Sequence, residues 1–334
     1  MGSSRVGAKI ATGLLAVLLF ASSTQAAEIR ERAEAEGKLM FYATFNAADS
    51  KTLVDGFKQL YPKIDAAYYR STDSAMMERI LTENRAGQNL WDVVVTTSFY
   101  GHNLKKRGLF AAYDSPERKF YRDGYKDPQA TWTSSYTNYA AFGYNSRTVP
   151  KTSVPKSFND LLKPEWKGQI GMDSRAYEWF GTMLKAMGEE KGLVYMRELA
   201  KQTQLRAGRT LLAQLVAAGE FTGALTAYSQ TFEVLKPSGA PVDWVYLNPV
   251  FANIHPTGIA AKAPHPNAAR LFIDFVLSKR GQEVIRGMNR IPDRTDVALD
   301  PRWTEGVKPT FAPAEVLDNF ERYGKMFHDI FGGR

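Results

Sequence analysis

The chain has 334 residues, of which 44% are hydrophobic and 23% charged, with a net charge of +8 and no cysteine. The missing cysteines exclude disulfides, a thiolate nucleophile and any cysteine metal site. The length favours two domains with cores large enough to do without disulfides. The positive excess is scattered, without the basic stripe of a nucleic-acid binder, and favours an anionic ligand only weakly.

From the N-terminus, Arg5 and Lys9 form a short basic region, residues 10–21 a compact apolar run, and residues 22–27 a small-residue cleavage zone. This is the layout of a secretory signal peptide, cleaved near Ala26 or Ala27. The apolar run is shorter than the roughly 20 residues a membrane span needs. Losing Arg5 and Lys9 lowers the net charge to +6, and no cysteine is present to carry a lipid anchor. No later segment is long and apolar enough to span a bilayer. A soluble periplasmic protein is expected.

Beyond the signal, short apolar strands alternate with amphipathic helices. Residues 39–42 read as a strand, and Leu53, Val54, Phe57, Leu60 and Tyr61 recur at helical spacing until Pro62. Residues 66–69 suggest a second strand. Met76, Met77, Ile80 and Leu81 mark a helix ending near Gly87, and residues 92–96 form the β-branched run of a parallel strand covered on both faces. The basic run Lys105-Lys106-Arg107 reads as the solvated end of a helix.

The middle repeats the pattern. Residues 139–144 and 169–172 are strand candidates, the latter followed by a helix carrying Trp179, Phe180, Met183, Leu184 and Met187, with Gly188 at its end. Thr210 is the expected N-cap of a helix that exits at Gly219. Residues 223–228 form the next strand. Pro266 opens a helix with Leu271, Phe272, Phe275 and Val276 inward, and one last helix carries Val316, Leu317, Phe320, Phe327 and Ile330. The fold class is α/β. Two such units without a flexible linker imply crossing strands, with ligand-binding loops just after strand ends at residues 44–46, 97–100, 173–175 and 228–230.

Two segments then carry a family resemblance: 209–220 (RTLLAQLVAAGE) and 263–273 (APHPNAARLFI), the second continued by Leu277-Ser278 and Gly281-Gln282. With the order of elements, the chain from about Glu28 to Ile291 resembles the periplasmic solute-binding proteins of ABC importers, in the group that includes ferric-ion-binding proteins. The resemblance implies a type II, two-lobed periplasmic-binding-protein fold with lobes joined by crossing strands. By analogy, after a signal peptide at 1–26, lobe one holds 27–137 and 257–300, and lobe two 138–256 and 301–334. It also implies an inner-membrane permease and ATPase as partners, and a monomer.

Ferric binders of this group use adjacent tyrosines after a late strand, with a histidine and a carboxylate from the first lobe. Here that strand ends Ala227-Tyr228-Ser229, the loop Thr44-Phe45-Asn46 has no histidine, and Thr96-Thr97-Ser98-Phe99 has no carboxylate. One phenol among neutral neighbours suits a hard ferric ion poorly. No metal site and no cofactor are expected, while iron carried with an anion or chelator stays open as the alternative.

The candidate ligand residues are Asn46, Ser98, Tyr100, Ser174, Arg175, Tyr177, Arg209, Thr210 and Tyr228. Arg209 would stand beside the free amides of its helix, and Arg175 among small residues that cradle an anion, each offering a planar fork to carboxylate or phosphate. The bland alternatives are an Arg175 pair with Asp173 or Glu178, and an Arg209 facing water. Tyr100, Tyr177 and Tyr228 would wall an organic ligand, as would Phe45 and Phe99, whereas Trp179 reads as packing. Of the histidines, His102 reads as exposed, His265 as a helix cap, His328 as part of the last helix, and His255 as lying near the second crossing. No nucleophile elbow, phosphate loop, dinucleotide fingerprint or zinc-protease motif occurs, so no enzyme is expected. A sensor presenting its closed form to a receptor would need the same cleft, and an enzyme on this fold is a further alternative.

Overall fold

The computed structural model describes residues 27–332, so the expected signal peptide lies outside the described residues. Helix α1 (27–36) leads into β1 (Lys38–Ala43), α2 (Ala47–Leu60), β2 (Asp65–Arg70), α3 (Asp73–Arg85), β3 (Val93–Val95), α4 (Ser98–Lys106) and β4 (Phe110–Ala111). Long strand β5 (Thr133–Asn145) leaves this unit. A second is built from β6 (Ile170–Asp173), α5 (Tyr177–Met187), α6 (Glu189–Ala200), β7 (Thr203–Arg206), α7 (Arg209–Ala218), β8 (Gly223–Tyr228), α8 (Ser229–Glu233) and β9 (Val242–Val245). Strand β10 (Val250–Ala260) returns to the first unit, which adds α9 (Pro266–Leu277), α10 (Lys279–Gly287) and β11 (Ile291–Pro292). The chain ends with β12 (Pro309–Thr310), α11 (Ala314–Asp318) and α12 (Phe320–Phe331).

The strand order β2-β1-β3-β10-β5-β8-β6-β7 makes the two halves mirror each other. In each, three parallel strands (β2-β1-β3 and β8-β6-β7) accept one antiparallel strand arriving from the other half. Those arriving strands, β10 and β5, pair with one another and cross between the lobes. The two-lobed α/β architecture expected from the sequence is therefore present. Strand β3 departs from expectation: buried on both faces, it is parallel to β1 but antiparallel to β10.

Side chains alternate across the strands, so each sheet feeds two cores. Phe41, Ala43, Val93 and Val95 pack on α2, α9 and α10, while Tyr42 and Val94 face Met76, Ile80 and Leu104 of α3 and α4. In the second lobe Ile170, Met172 and Leu225 meet Trp179, Phe180, Tyr323 and Phe327, and Ala224 and Ala227 meet Leu212 and Val216. Trp179 is thus core, 2% exposed.

Three local expectations need correcting. The last helix is two, α11 and α12, broken at Asn319. Helix α7 begins before Thr210: its N-cap is Gly208, at φ 105°, a conformation glycine enters without a Cβ clash. The basic end of α4 is only partly solvated, because Lys105 bonds Asp127 and Lys106 bonds Asp318.

Candidate functional site

The loops after β6, β7 and β8 form one wall. At its centre Thr226, a β-branched residue inside β8, holds φ 68°. Such backbone is strained for a branched side chain and persists only where neighbours over-determine it, which is commonest at functional sites. There the β5–β8 register slips, two residues of β8, Leu225 and Thr226, opposing one of β5, Phe142. The strained turn presents Thr226 O to Arg209 Nε at 3.1 Å, and Thr226 Oγ1 to the Asp173 amide at 3.1 Å.

Arg209 is fixed further by Asp173, whose Oδ2 lies 3.1 Å from Nη1, and by the Tyr228 ring, whose centroid is 4.8 Å from the guanidinium carbon. Asp173 is 2% exposed and also accepts from the Gly208 amide at 3.3 Å. The Arg209 side chain remains 28% accessible, so it lines a space rather than filling the core. Burial favours its neutral form, but Tyr228, Asp173 and Glu178 hold it firmly charged. Arg209 therefore neither faces open water nor stands free; it is a preset cation.

A hydrogen-bonded chain joins the lobes across the crossing strands. Ser98 Oγ, at the start of α4, donates to Asn253 Oδ1 at 3.1 Å, and Asn253 Nδ2 donates to the Tyr228 hydroxyl at 2.7 Å. Burial raises the Tyr228 pKa, against the pull of Arg209 and Asn253, so the phenol stays protonated. Beneath this chain Tyr136 of β5 stacks on His255 of β10 at 3.8 Å and on Phe45 at 4.9 Å. The Arg290 guanidinium lies 4.8 Å from the Tyr136 ring and bonds Asp49 at 2.7 Å. Burial, helped by Arg290, pushes His255 down to about 3, so this imidazole is neutral.

The lobe-one rim is the loop after β3. Asp73 Oδ1 accepts from Thr96 Oγ1 (2.6 Å) and from the Thr97 amide (2.9 Å), drawing α3 and the loop together. Tyr100 sits beside them; burial and Asp73 raise its pKa, while the charge of Arg175, from the opposite lobe, acts against them.

Of the nine residues singled out in the sequence, the structure brings Ser98, Arg209 and Tyr228 together, with Tyr100 and Arg175 at the rim. Arg175 is exposed, and its backbone amide approaches Asp173 Oδ1 at 3.4 Å. Ser174 is half-buried, its amide bonded to Arg206 O. Asn46 is exposed and its side-chain oxygen caps α2 through the Asp49 amide. Thr210 is exposed within the first turn of α7 rather than capping it. Tyr177 is not part of the group: its hydroxyl bonds His328 Nε2 at 2.7 Å and its ring packs on Phe320 and Phe327. His102 is not free in solvent either; its Nε2 lies 2.9 Å from Asp318.

Sequence reasoning named Asp173 and Glu178 only as possible partners of Arg175, not beside Arg209, and missed Thr226, Asn253, Tyr136 and Arg290. Asn253 and Tyr136 had a usable signal, since both lie on strands that cross between lobes; the backbone of Thr226 had none. Among the described residues, no group of three His, Cys, Asp or Glu is arranged to hold a metal, and no helix is long and apolar enough to cross a membrane.

A cavity of about 670 Å³ runs along α4 between the 123–132 loop and residues 311–317, touching the cleft only at Ser98. Of its cations, Lys105 is paired with Asp127 and Arg118 with Asp114 and the carbonyls of Trp132 and Asp127, while Lys126 bonds only the Arg118 carbonyl. The preset cation and the strained turn lie in the cleft, which is therefore the better candidate site.

Comparison with known proteins accords with this geometry. The family described as bacterial extracellular solute-binding protein matches residues 88–319. The Fe(3+)-binding periplasmic protein of Serratia marcescens is 25% identical over 286 residues, covering 82% of this chain and 83% of its own. Iron-bound HitA from Pseudomonas aeruginosa superposes with a TM-score of 0.77 at 20% identity, covering 88% of this chain and 99% of HitA. The periplasmic binding protein AfuA from Actinobacillus pleuropneumoniae, solved with fructose-6-phosphate, superposes with a TM-score of 0.72 at 23% identity, covering 89% and 99%. These likenesses identify the fold as that of the type II periplasmic binding proteins.

Proposed function

The chain belongs to the bacterial extracellular solute-binding protein family, and from that premise we propose that it captures a small anion between its lobes and delivers it to an ABC importer. In this reading lobe one comprises 27–137 and 257–300 and lobe two 138–256 and 301–334. The solute lies between Arg209, Arg175 and Tyr228 on one side and Ser98 and Tyr100 on the other. The partners are an inner-membrane permease and ATPase. The protein acts in the periplasm after its signal peptide is removed near Ala26 or Ala27, and it turns nothing over.

The observation that carries this is the held guanidinium. Thr226 accepts strain to offer Arg209 a carbonyl, and Asp173 orients the fork, while more than a quarter of the side chain stays accessible. A cation fixed this way loses little conformational freedom when an anion arrives, which favours binding. A solute touching both lobes stabilises their closed arrangement by its differential affinity for the two states.

A thermal-shift screen of carboxylates, phosphates and phosphate esters tests the reading. At least one small anion is expected to raise the melting temperature of the wild type and not of Arg209→Ala; a flat screen, or equal shifts in both, counts against it. A second reading is favoured by the Serratia relative's name: a ferric ion carried with a synergistic anion. Ferric citrate and citrate in the same screen separate the two.

A further inference from the structure

One carboxyl oxygen in the cleft wall has no hydrogen-bond partner. Glu178 is the second residue of α5, where an acid ordinarily stands in solvent and favours the helix dipole. Here its Oε1 is buried and accepts no hydrogen bond. Burial pushes the carboxyl up to about 7, with the Ser98 hydroxyl and the Arg209 charge pulling the other way. Those two neighbours stand on opposite lobes, so Glu178 lies between them.

The hydrogen bonds that Ser98 and Arg209 make go elsewhere than Glu178 Oε1. Ser98 Oγ donates to Asn253 Oδ1 and approaches Ile254 O, and Arg209 spends Nε on Thr226 O and Nη1 on Asp173. A buried acceptor with no donor is destabilising, and a donor brought by a bound solute would satisfy it. That donor arrives in the same space as the anion. An ammonium group would be repelled by Arg209, whose charge is felt at Glu178; a neutral hydroxyl would not.

We propose that Glu178 is a specificity-determining residue of the cleft. The solute is then a small hydroxylated anion whose hydroxyl donates to Glu178 Oε1 while its anionic group meets Arg175 and Arg209. This rests on the anionic-solute reading above and narrows it. A phosphate ester and a hydroxycarboxylate share this chemistry, and the test separates them.

Isothermal titration calorimetry with two matched pairs makes the test: glycerol 3-phosphate against propyl phosphate, and citrate against tricarballylate. The wild type is expected to bind the hydroxylated member of one pair about tenfold or more tightly, and the responding pair identifies the class. Glu178→Leu removes that preference by weakening the hydroxylated member alone. Glu178→Gln, which keeps a side-chain carbonyl, retains most of it. Thermal melts verify that both variants fold. Equal affinity within both pairs, a preference that survives in Glu178→Leu, tighter binding of phosphoethanolamine than of glycerol 3-phosphate, or binding of none of these probes overturns the proposal. The cleft reading itself fails on a different result, namely anion binding that Arg209→Ala leaves unchanged.

Discussion

Arg209 spends two guanidinium contacts on holding itself still and keeps the rest for the cleft. Truncating it to alanine is expected to weaken anion binding by about 2–3 kcal/mol, the range for a charge-assisted bond. Arg209→Lys should recover little of this, because a point charge cannot satisfy Thr226 O and Asp173 while still presenting a fork. Calorimetric titration of both variants checks this. Asp173, left buried without its partner in Arg209→Ala, should also cost stability, so melting temperatures must accompany the affinities.

A second residue-scale prediction concerns Asp293, 8% exposed, whose Oδ1 accepts from Thr137 at 2.6 Å and whose Oδ2 has no partner. Burial pushes its pKa up to about 7, with Ser134 and Thr137 opposing. In the unfolded chain it titrates near the ordinary carboxyl value of about 3.9. Between those values the folded protein holds a proton the unfolded one has lost. The stabilisation is fully present below pH ~4 and is lost as pH rises through about 7. Asp293→Asn should therefore melt progressively higher relative to wild type from pH 5 to pH 8. A constant difference would show that the carboxyl is already ionised at pH 5.

The crossing strand β5 is the element on which the site depends, and it is packed to contact. A Cβ built on Gly143 would fall 1.9 Å from the Phe232 ring. Gly143→Ala should cost about 1–3 kcal/mol or more through overpacking. Gly287→Ala at the end of α10, where nothing lies within 4 Å, should be neutral or stabilising by up to about 1 kcal/mol. Denaturant melts of the two variants make the comparison.

At this scale the sequence was most readable where periodicity is local. The apolar spacing in α2, α5 and α9, the β-branched run of β3 and the glycine exit of α7 all match the elements found. It was least readable where geometry depends on a distant partner. Strand β10 carries Pro256 and His255 and has no alternating pattern because it is buried along its whole length. The start of α7 moved because Gly208 can hold a positive φ, which makes Thr210 unnecessary as a cap. Of the cleft, Ser98, Arg209 and Tyr228 were legible as residues following strands. Asp173 lies in a loop that follows a strand, but its pairing with Arg209 spans 36 positions and only the fold brings the two together.

At the scale of the whole molecule, the lobes touch at more than the crossing strands. Phe99 of α4 stacks on Phe320 of α12 at 4.1 Å, and His102 and Lys106 both reach Asp318. The 670 Å³ cavity on the far side of Ser98 is the competing location for a solute, since it too is lined from both lobes.

A crystal structure of the protein with the anion that most raises its melting temperature decides between the two locations. The anion is expected between Arg209, Tyr228 and Ser98, its charged group on the guanidinium. Density for it along α4, among Trp132, Phe311 and Leu317, with Arg209 still bonded only to Thr226 and Asp173, would contradict the account.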